Sequence, residues 1–156
     1  MKFSRATSID RPLEAVWAFH SRIDGLDALT PAAADLVVED LRTVGDDDRL
    51  LAGSEIDLSV GPLPGVARTT WTSVIVDRQR TDTEAWFVDE MREGPMASWR
   101  HTHHFVADGD RTRLIDRIDY KTGRGRAVDL ALRPILAIAF AMRQQRTREI
   151  LSGDEV

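Results

Sequence analysis

Residues 99–120 read WRHTHHFVADGDRTRLIDRIDY, two runs of alternating residues separated by Asp108-Gly109. This dipeptide readily supplies the positive φ angles of a tight turn, so the stretch predicts a β-hairpin. Side chains alternate along a strand, and residues two apart therefore share a face. The face that holds most of the apolar side chains consists of Trp99, His101, His103, Phe105, Thr112, Leu114, Asp116, Ile118 and Tyr120.

This shared face is mostly apolar, but it also carries two histidines and an aspartate. With Asp108-Gly109 as a two-residue turn, His101 is expected opposite Asp116, and His103 opposite Leu114. A dry core rejects such polar groups unless they are partnered. An apolar sheet face with a few polar points is typical of the wall of a ligand cavity.

The composition places the chain among soluble globular proteins. It has 156 residues, 42% of them hydrophobic and 30% charged, so we expect a single domain over residues 1–156. A net charge of −5 argues against general binding to nucleic acid or to anionic membranes. The absence of cysteine excludes disulfides, thiolate metal sites and cysteine nucleophiles. Residues 1–12 contain no apolar core of signal-peptide length, and this favours a cytoplasmic location.

Elsewhere the hydrophobic spacing predicts a short N-terminal helix, several strands and a long C-terminal helix. The short helix is expected to begin at Pro12 and to end at Gly25. Besides the hairpin, strands are predicted at 2–9, 34–43, 53–60, 68–77 and 83–91. Sequential strands imply an antiparallel sheet, and the fold class is therefore α+β. A long helix packed on a curved sheet leaves a gap between the two layers, in which a ligand would bind.

The long helix is predicted over residues 126–151, with Pro134 kinking or splitting it. One face is expected to pack on the sheet, and it consists of Val128, Leu132, Ile135, Ala139 and Met142. Residues 135–142 read ILAIAFAM and are apolar all round, so Leu136 and Phe140 form a second apolar face. That second face would be covered by a second subunit, giving a homodimer, or by a loop of the same chain.

The candidate chemistry centres on His101, His103 and Asp116. Three uses stay open: a buried cross-strand pair that only holds the hairpin together, hydrogen bonding to a ligand, and acid–base catalysis with the carboxylate orienting an imidazole. A zinc site using His101, His103 and His104 with Asp116 is a fourth. It is disfavoured because the neighbouring side chains cannot coordinate a metal. We therefore assign no catalytic or metal-binding residue and expect no cofactor.

The predicted cavity wall extends beyond the hairpin to the neighbouring strands and the long helix. Its aromatic and sulfur-containing side chains favour a flat or chain-like apolar ligand, and Tyr120 could anchor a polar end. The predicted ligand-binding residues are Trp71, Phe87, Met91, Trp99, His101, His103, Phe105, Leu114, Asp116, Ile118, Tyr120, Ile135, Ala139 and Met142.

The order of the predicted elements, together with two stretches of the sequence, resembles a known superfamily over nearly the whole chain. Residues 8–17, SIDRPLEAVW, are similar to its strand–proline–helix opening, and Gly94-Pro95 followed by the hairpin is similar to its bacterial and archaeal members. The chain thus resembles the SRPBCC (START/Bet v 1-like) superfamily, in particular polyketide cyclase/dehydratase-like and coenzyme-Q-binding-like proteins. The resemblance implies a helix-grip fold, in which a curved antiparallel sheet wraps around a long C-terminal helix with a short N-terminal helical segment.

The resemblance and the residue patterns together leave three functions open. The first is binding or carriage of a hydrophobic small molecule, such as a lipid, an isoprenoid quinone or a polyketide-like compound. The second is a cofactor-independent cyclase or dehydratase that uses the His–Asp pair. The third is a protein-interaction module whose partner docks on the C-terminal helix.

Overall fold

The computed structural model describes residues 1–29, 36–45, 49–61 and 68–153. In these ranges seven strands form one antiparallel sheet in the order β1-β7-β6-β5-β4-β3-β2, with two short helices after β1 and a long helix at the end. The predicted α+β helix-grip architecture is thereby confirmed. The elements are β1 (Lys2–Ile9), α1 (Leu13–His20), α2 (Ile23–Leu29), β2 (Leu36–Arg42), β3 (Glu55–Val60), β4 (Thr69–Arg80), β5 (Glu84–Glu93), β6 (Ser98–Asp108), β7 (Arg111–Lys121) and α3 (Arg126–Ser152).

The strands agree with the predicted ones to within a few residues at their ends, although positions 34 and 35 of the predicted second strand lie outside the described residues. Within the described ranges, none of the helices is long and apolar enough to cross a membrane.

The first helical region differs from the prediction at Gly25. Helix α1 ends at His20, where the backbone N–H of Ser21 donates to Trp17 O, and Gly25 lies inside α2. A Cβ atom at position 25 would lie 2.2 Å from the carbonyl oxygen of Phe19. Glycine is therefore needed here because the two helices approach closely, and not because it ends a helix.

The hairpin of β6 and β7 has the predicted faces but a different register. Asp108 pairs with Arg111, so the two turn residues are Gly109, with φ 60°, and Asp110. The prediction placed the turn one residue too early, and this shifts every pairing by two positions. His103, and not His101, lies opposite Asp116. Because the shift is even, each side chain stays on its predicted face.

Helix α3 turns a different face to the sheet from the predicted one. Its buried side chains are Leu136, Phe140, Gln144, Thr147 and Leu151. The expected core positions Val128, Ile135 and Met142 are exposed, with Ile135 at 60%, and Ala139 is also exposed. Leu136 and Phe140, which were expected to be covered by a second subunit or a loop, are instead buried in the core of this chain. The error arose because the ILAIAFAM segment is apolar all round, whereas the buried face continues through polar residues.

Pro134 does not split α3, which runs unbroken from Arg126 to Ser152. Proline removes the hydrogen bond to the carbonyl four residues earlier, that of Leu130. Both residues are exposed, so water can hydrate the freed carbonyl group.

A polar row divides the buried core along the hairpin. On β6, Phe105 belongs to one hydrophobic cluster and Trp99 packs against another. On β7, Leu114 belongs to the first cluster, and Ile118 belongs to the second. The buried polar residues His101, His103 and Asp116 lie between these apolar positions.

Candidate functional site

A cavity of about 330 Å³ lies between the inner face of the sheet, the corner of α1 and α2, and helix α3. Most of its wall is apolar, and a few polar side chains point into it. It is lined by His20, Gly25, Leu29, Leu50, Ile56, Leu58, Trp71, Ser73, Ile75, Phe87, Asp89, Met91, Pro95, Met96, Trp99, His101, His103, Phe140 and Arg143.

The structure brings together only some of the side chains that the sequence assigned to the cavity. Those that line it are Trp71, Phe87, Met91, Trp99, His101 and His103. Asp116 is buried and hydrogen-bonded to His101 without lining the cavity. Four further predicted residues belong to the hydrophobic clusters beside the cavity, namely Phe105, Leu114, Ile118 and Tyr120. The last three, Ile135, Ala139 and Met142, lie on the outer face of α3.

Tyr120 does not line the cavity, and its hydroxyl group bonds to the start of α3. The hydroxyl donates to the backbone carbonyl of Asp129 at 2.7 Å. Asp129 Oδ1 in turn accepts from the backbone N–H and the hydroxyl of Thr122. Tyr120 therefore ties the start of α3 to the loop that precedes it.

The polar side chains of the site form one hydrogen-bonded row across four neighbouring strands. Ser73 Oγ on β4 donates to Asp89 Oδ1 on β5 at 3.3 Å. Asp89 Oδ2 lies 2.9 Å from His103 Nε2 and 3.5 Å from His101 Nδ1 on β6. His101 Nε2 donates to Asp116 Oδ1 on β7 at 2.9 Å. This row connects the cavity to the core behind it.

Asp116 is held as a carboxylate at the inner end of this row. Burial alone would raise the pKa of Asp116, but the hydrogen bond from His101 and its electrostatic attraction, followed by those of His103 and Arg143, outweigh burial and lower that pKa. Gln144 on α3 adds a third contact, its Nε2 donating to Asp116 Oδ2 at 2.7 Å. The ionised Asp116 therefore fixes both the hairpin and the helix.

The two cavity histidines on β6 stack on each other and on an aromatic ring. The rings of His101 and His103 have centroids 3.7 Å apart, and the ring of His103 stacks on Phe87 at 4.0 Å. Burial, and then the charges of His101 and Arg143, hold the pKa of His103 well below its ordinary value. His103 is therefore neutral at physiological pH.

Burial has the opposite effect on the acid that faces these histidines. It raises the pKa of Asp89, although the charges of His101 and Arg143 act against this shift. Asp89 and Asp116 thus lie on either side of His101 with their pKa values moved in opposite directions. Paired acids of this kind occur in catalytic sites, where one group holds a proton and the other accepts one.

The metal site considered from the sequence is not assembled as proposed. His104 points to the opposite face of the sheet and pairs with Glu84 at 2.8 Å. Asp89, His101 and His103 do bring three ligand atoms within 4.8 Å of one another. Those atoms already bond to one another or to Asp116, and the positive charge of Arg143 acts on both carboxylates. A second cation is therefore electrostatically disfavoured here.

Among the lining residues that were not predicted are three charged or titratable ones, Asp89, Arg143 and His20, and each was missed for an identifiable reason. Asp89 lies between Phe87 and Met91 at two-residue spacing, and that spacing already placed it on the predicted cavity face. Arg143 follows Phe140 by three positions, but the wrong helix face was assigned. His20 was not among the predicted ligand-binding residues, although it lines the cavity.

The comparison with known proteins identifies the fold. No protein-family model and no curated protein sequence matches the chain. A truncated norcoclaurine synthase from Thalictrum flavum superposes with a TM-score of 0.69 at 15% identity, over 99% of this chain and 95% of that one. Ara h 8.0201 superposes with a TM-score of 0.63 at 11% identity, over 98% and 99% of the two chains.

A third similar structure is much longer than this chain. It is a nucleoside-diphosphate sugar epimerase from Corynebacterium glutamicum, with a TM-score of 0.62 and 24% identity. The match covers 96% of this chain but only 29% of the epimerase. At these identities the likeness shows the fold alone: the chain has the helix-grip fold that the sequence predicted.

Proposed function

We propose that this protein binds a compact, mostly apolar small molecule in the cavity between the sheet and α3. The observation that carries the proposal is the cavity itself, whose apolar wall surrounds a small set of convergent polar side chains. Its volume of about 330 Å³ is at the lower end of the range for small-molecule pockets. A ligand with one to three rings or a short chain therefore fits better than a long lipid or an isoprenoid quinone.

A solved structure with the same fold supports this size of ligand. One norcoclaurine synthase structure, similar to this chain with a TM-score of 0.66, is described as a complex with dopamine and hydroxybenzaldehyde. The fold thus accommodates small aromatic molecules in that protein.

Binding of the neutral fluorescent probe N-phenyl-1-naphthylamine tests the proposal. We expect saturable fluorescence enhancement, because the probe moves from water to an apolar cavity. Met91→Trp adds bulk to the cavity wall and should weaken probe binding about tenfold or more, whereas Met142→Trp makes the same change on the exposed outer face of α3 and should leave binding unchanged. Binding that is not saturable, or that Met91→Trp leaves intact, would contradict the proposal.

A second function, proton transfer to or from the bound molecule, is favoured by the contacts of His101. When the imidazole is neutral, its Nε2–H donates to the Asp116 carboxylate, and Nδ1, on the side of Asp89, is the nitrogen that can accept a proton. A base oriented by a carboxylate inside an apolar cavity is the arrangement that a cofactor-independent cyclase or dehydratase requires.

Hydrogen–deuterium exchange of 2-tetralone in D₂O, followed by NMR, tests this second function. We expect the protein to accelerate exchange at the carbon next to the carbonyl group, and His101→Gln to reduce the acceleration about 100-fold or more. His104→Gln removes a histidine from the other face of β6 and should retain the full rate. If His101→Gln exchanges 2-tetralone as fast as the unaltered protein, His101 is not the base.

A further inference from the structure

The polar side chains that face the cavity fall into two groups. Ser73, Asp89, His101 and His103 already hydrogen-bond to one another or to Asp116. Arg143 and His20 line the same cavity and do not belong to this row. The hydrogen-bonding capacity of these two side chains is therefore still available to a ligand.

Arg143 brings five N–H donors to the cavity wall. Among the described residues, its guanidinium group has no hydrogen bond and no ion pair within 4.0 Å, although its backbone carbonyl accepts from Thr147. Asp89 and Asp116 attract it electrostatically from a greater distance. The hydrogen bonds of the two carboxylates come from other residues, because Asp116 accepts from His101 and Gln144, and Asp89 accepts from Ser73.

His20 is buried, at 5% exposure, and neither of its ring nitrogens has a hydrogen-bond partner in the described part of the chain. Its ring packs against those of Phe105 and Phe19, with centroids 5.0 and 5.2 Å away. Burial, and then the charge of Arg143, lower the pKa of His20 to about 3. A neutral imidazole offers one donor and one acceptor.

From these two residues we infer that the ligand of the proposed function carries a carboxylate, which Arg143 and His20 recognise together. An apolar ligand that expelled water from the cavity would leave the guanidinium donors unsatisfied, at a cost in free energy. A carboxylate matches the planar fork of an arginine and has further lone pairs for the N–H of His20. A cationic ligand would be repelled by Arg143.

A matched series of naphthalene compounds tests this inference by calorimetry. The compounds are 2-naphthoate, 2-naphthamide and 2-naphthylmethylammonium, which share an apolar body and differ in the charge of the polar group. We expect 2-naphthoate to bind about tenfold or more tighter than the amide, because hydrogen bonds to charged groups contribute more than neutral ones. The ammonium compound should bind most weakly.

Variants of Arg143 and His20 test whether these two residues cause the preference for 2-naphthoate over 2-naphthamide. Arg143→Gln should remove most of the advantage of 2-naphthoate over 2-naphthamide, and Arg143→Lys should retain part of it because the charge remains without the fork. Arg146→Gln replaces an exposed arginine on the same helix, one that pairs with Glu149, and should change neither affinity. His20→Leu should weaken 2-naphthoate more than 2-naphthamide.

The outcomes separate this inference from the proposed function on which it rests. Equal affinities for 2-naphthoate and 2-naphthamide, or an unchanged ratio in Arg143→Gln, would overturn the carboxylate assignment. If N-phenyl-1-naphthylamine still binds although the carboxylate assignment fails, the proposed function stands and only the assignment is lost. If neither the probe nor any naphthalene compound binds, the proposed function itself fails.

Discussion

Asp116→Ala is expected to lower the free energy of unfolding by about 3–5 kcal/mol, the usual cost of removing one member of a buried charged cluster. Asp116 is 1% exposed and accepts hydrogen bonds from His101 and Gln144. The substitution leaves both donors buried without this acceptor, and it breaks the contact between β7 and α3. Urea unfolding at pH 7, followed by circular dichroism, measures the change.

Asp119→Ala is the matched control for this substitution. Asp119 lies on the same strand, and its ion pair with Lys2 spans 3.9 Å between exposed side chains. Surface pairs of this kind contribute at most about 1 kcal/mol, so this variant should unfold almost as the unaltered protein does. The free energy of unfolding of Asp116→Asn should lie between those of Asp116→Ala and Asp119→Ala, because an amide oxygen can still accept a hydrogen bond but carries no charge. Similar stabilities for Asp116→Ala and Asp119→Ala would show that the polar row does not support the fold.

His20→Leu is expected to have the opposite effect, raising the free energy of unfolding by about 1–3 kcal/mol at pH 7. Leucine has a similar size and leaves no unsatisfied nitrogen in the apolar surroundings of His20. The same variant should bind a carboxylate ligand less well. A gain in stability with a loss of binding is typical of a residue that is retained for function.

The pH dependence of stability provides a second measurement on His20→Leu. The pKa of His20 is about 3 in the folded protein, below its ordinary value of 6.5. Between these values the unfolded chain binds a proton at His20 that the folded protein does not. The contribution of His20 to stability therefore falls by about 1.4 kcal/mol for each pH unit of acidification. His20→Leu removes this contribution, so the variant should lose less stability than the unaltered protein between pH 6 and pH 4.

Phe19→Leu is a suitable control, because it changes a ring next to His20 without removing a titratable group. Between pH 6 and pH 4 the free energy of unfolding of Phe19→Leu should change as steeply as that of the unaltered protein. The account of His20 as a desolvated, neutral histidine is contradicted if His20→Leu destabilises the protein at pH 7 and its stability changes with pH as steeply as before.

Alternation along the strands predicted which side chains share a face, but not their register. Asp108-Gly109 and Gly109-Asp110 are both acceptable turns in the sequence, and the two choices differ by two residues in every pairing. Both choices leave His101, His103 and Asp116 on the cavity side. The elements and the inner face of the hairpin were therefore predictable from local patterns, whereas the partner of each histidine was not.

Helix α3 shows why much of the candidate site escaped prediction. Hydrophobic spacing indicates a face only where polar residues mark the other side, and residues 135–142 have none. The buried face continues through Gln144 and Thr147. The amide of Gln144 is satisfied by other elements, at Asp116 and the carbonyl of Arg5, whereas the hydroxyl of Thr147 donates to the carbonyl of Arg143 on the same helix. Arg143 and His20 were missed for the same reason, because a polar residue in a cavity has no local signature.

The tryptophans of the cavity wall should make the intrinsic fluorescence of the protein sensitive to ligand binding. Of the four tryptophans in the chain, Trp71 and Trp99 line the cavity. Indole emission depends on the polarity around the ring and on nearby quenchers, so occupancy should alter the intrinsic fluorescence spectrum. A naphthalene compound in the cavity would also accept excitation energy from these rings. The protein thus contains its own reporter, and ligands could be screened without labelling it.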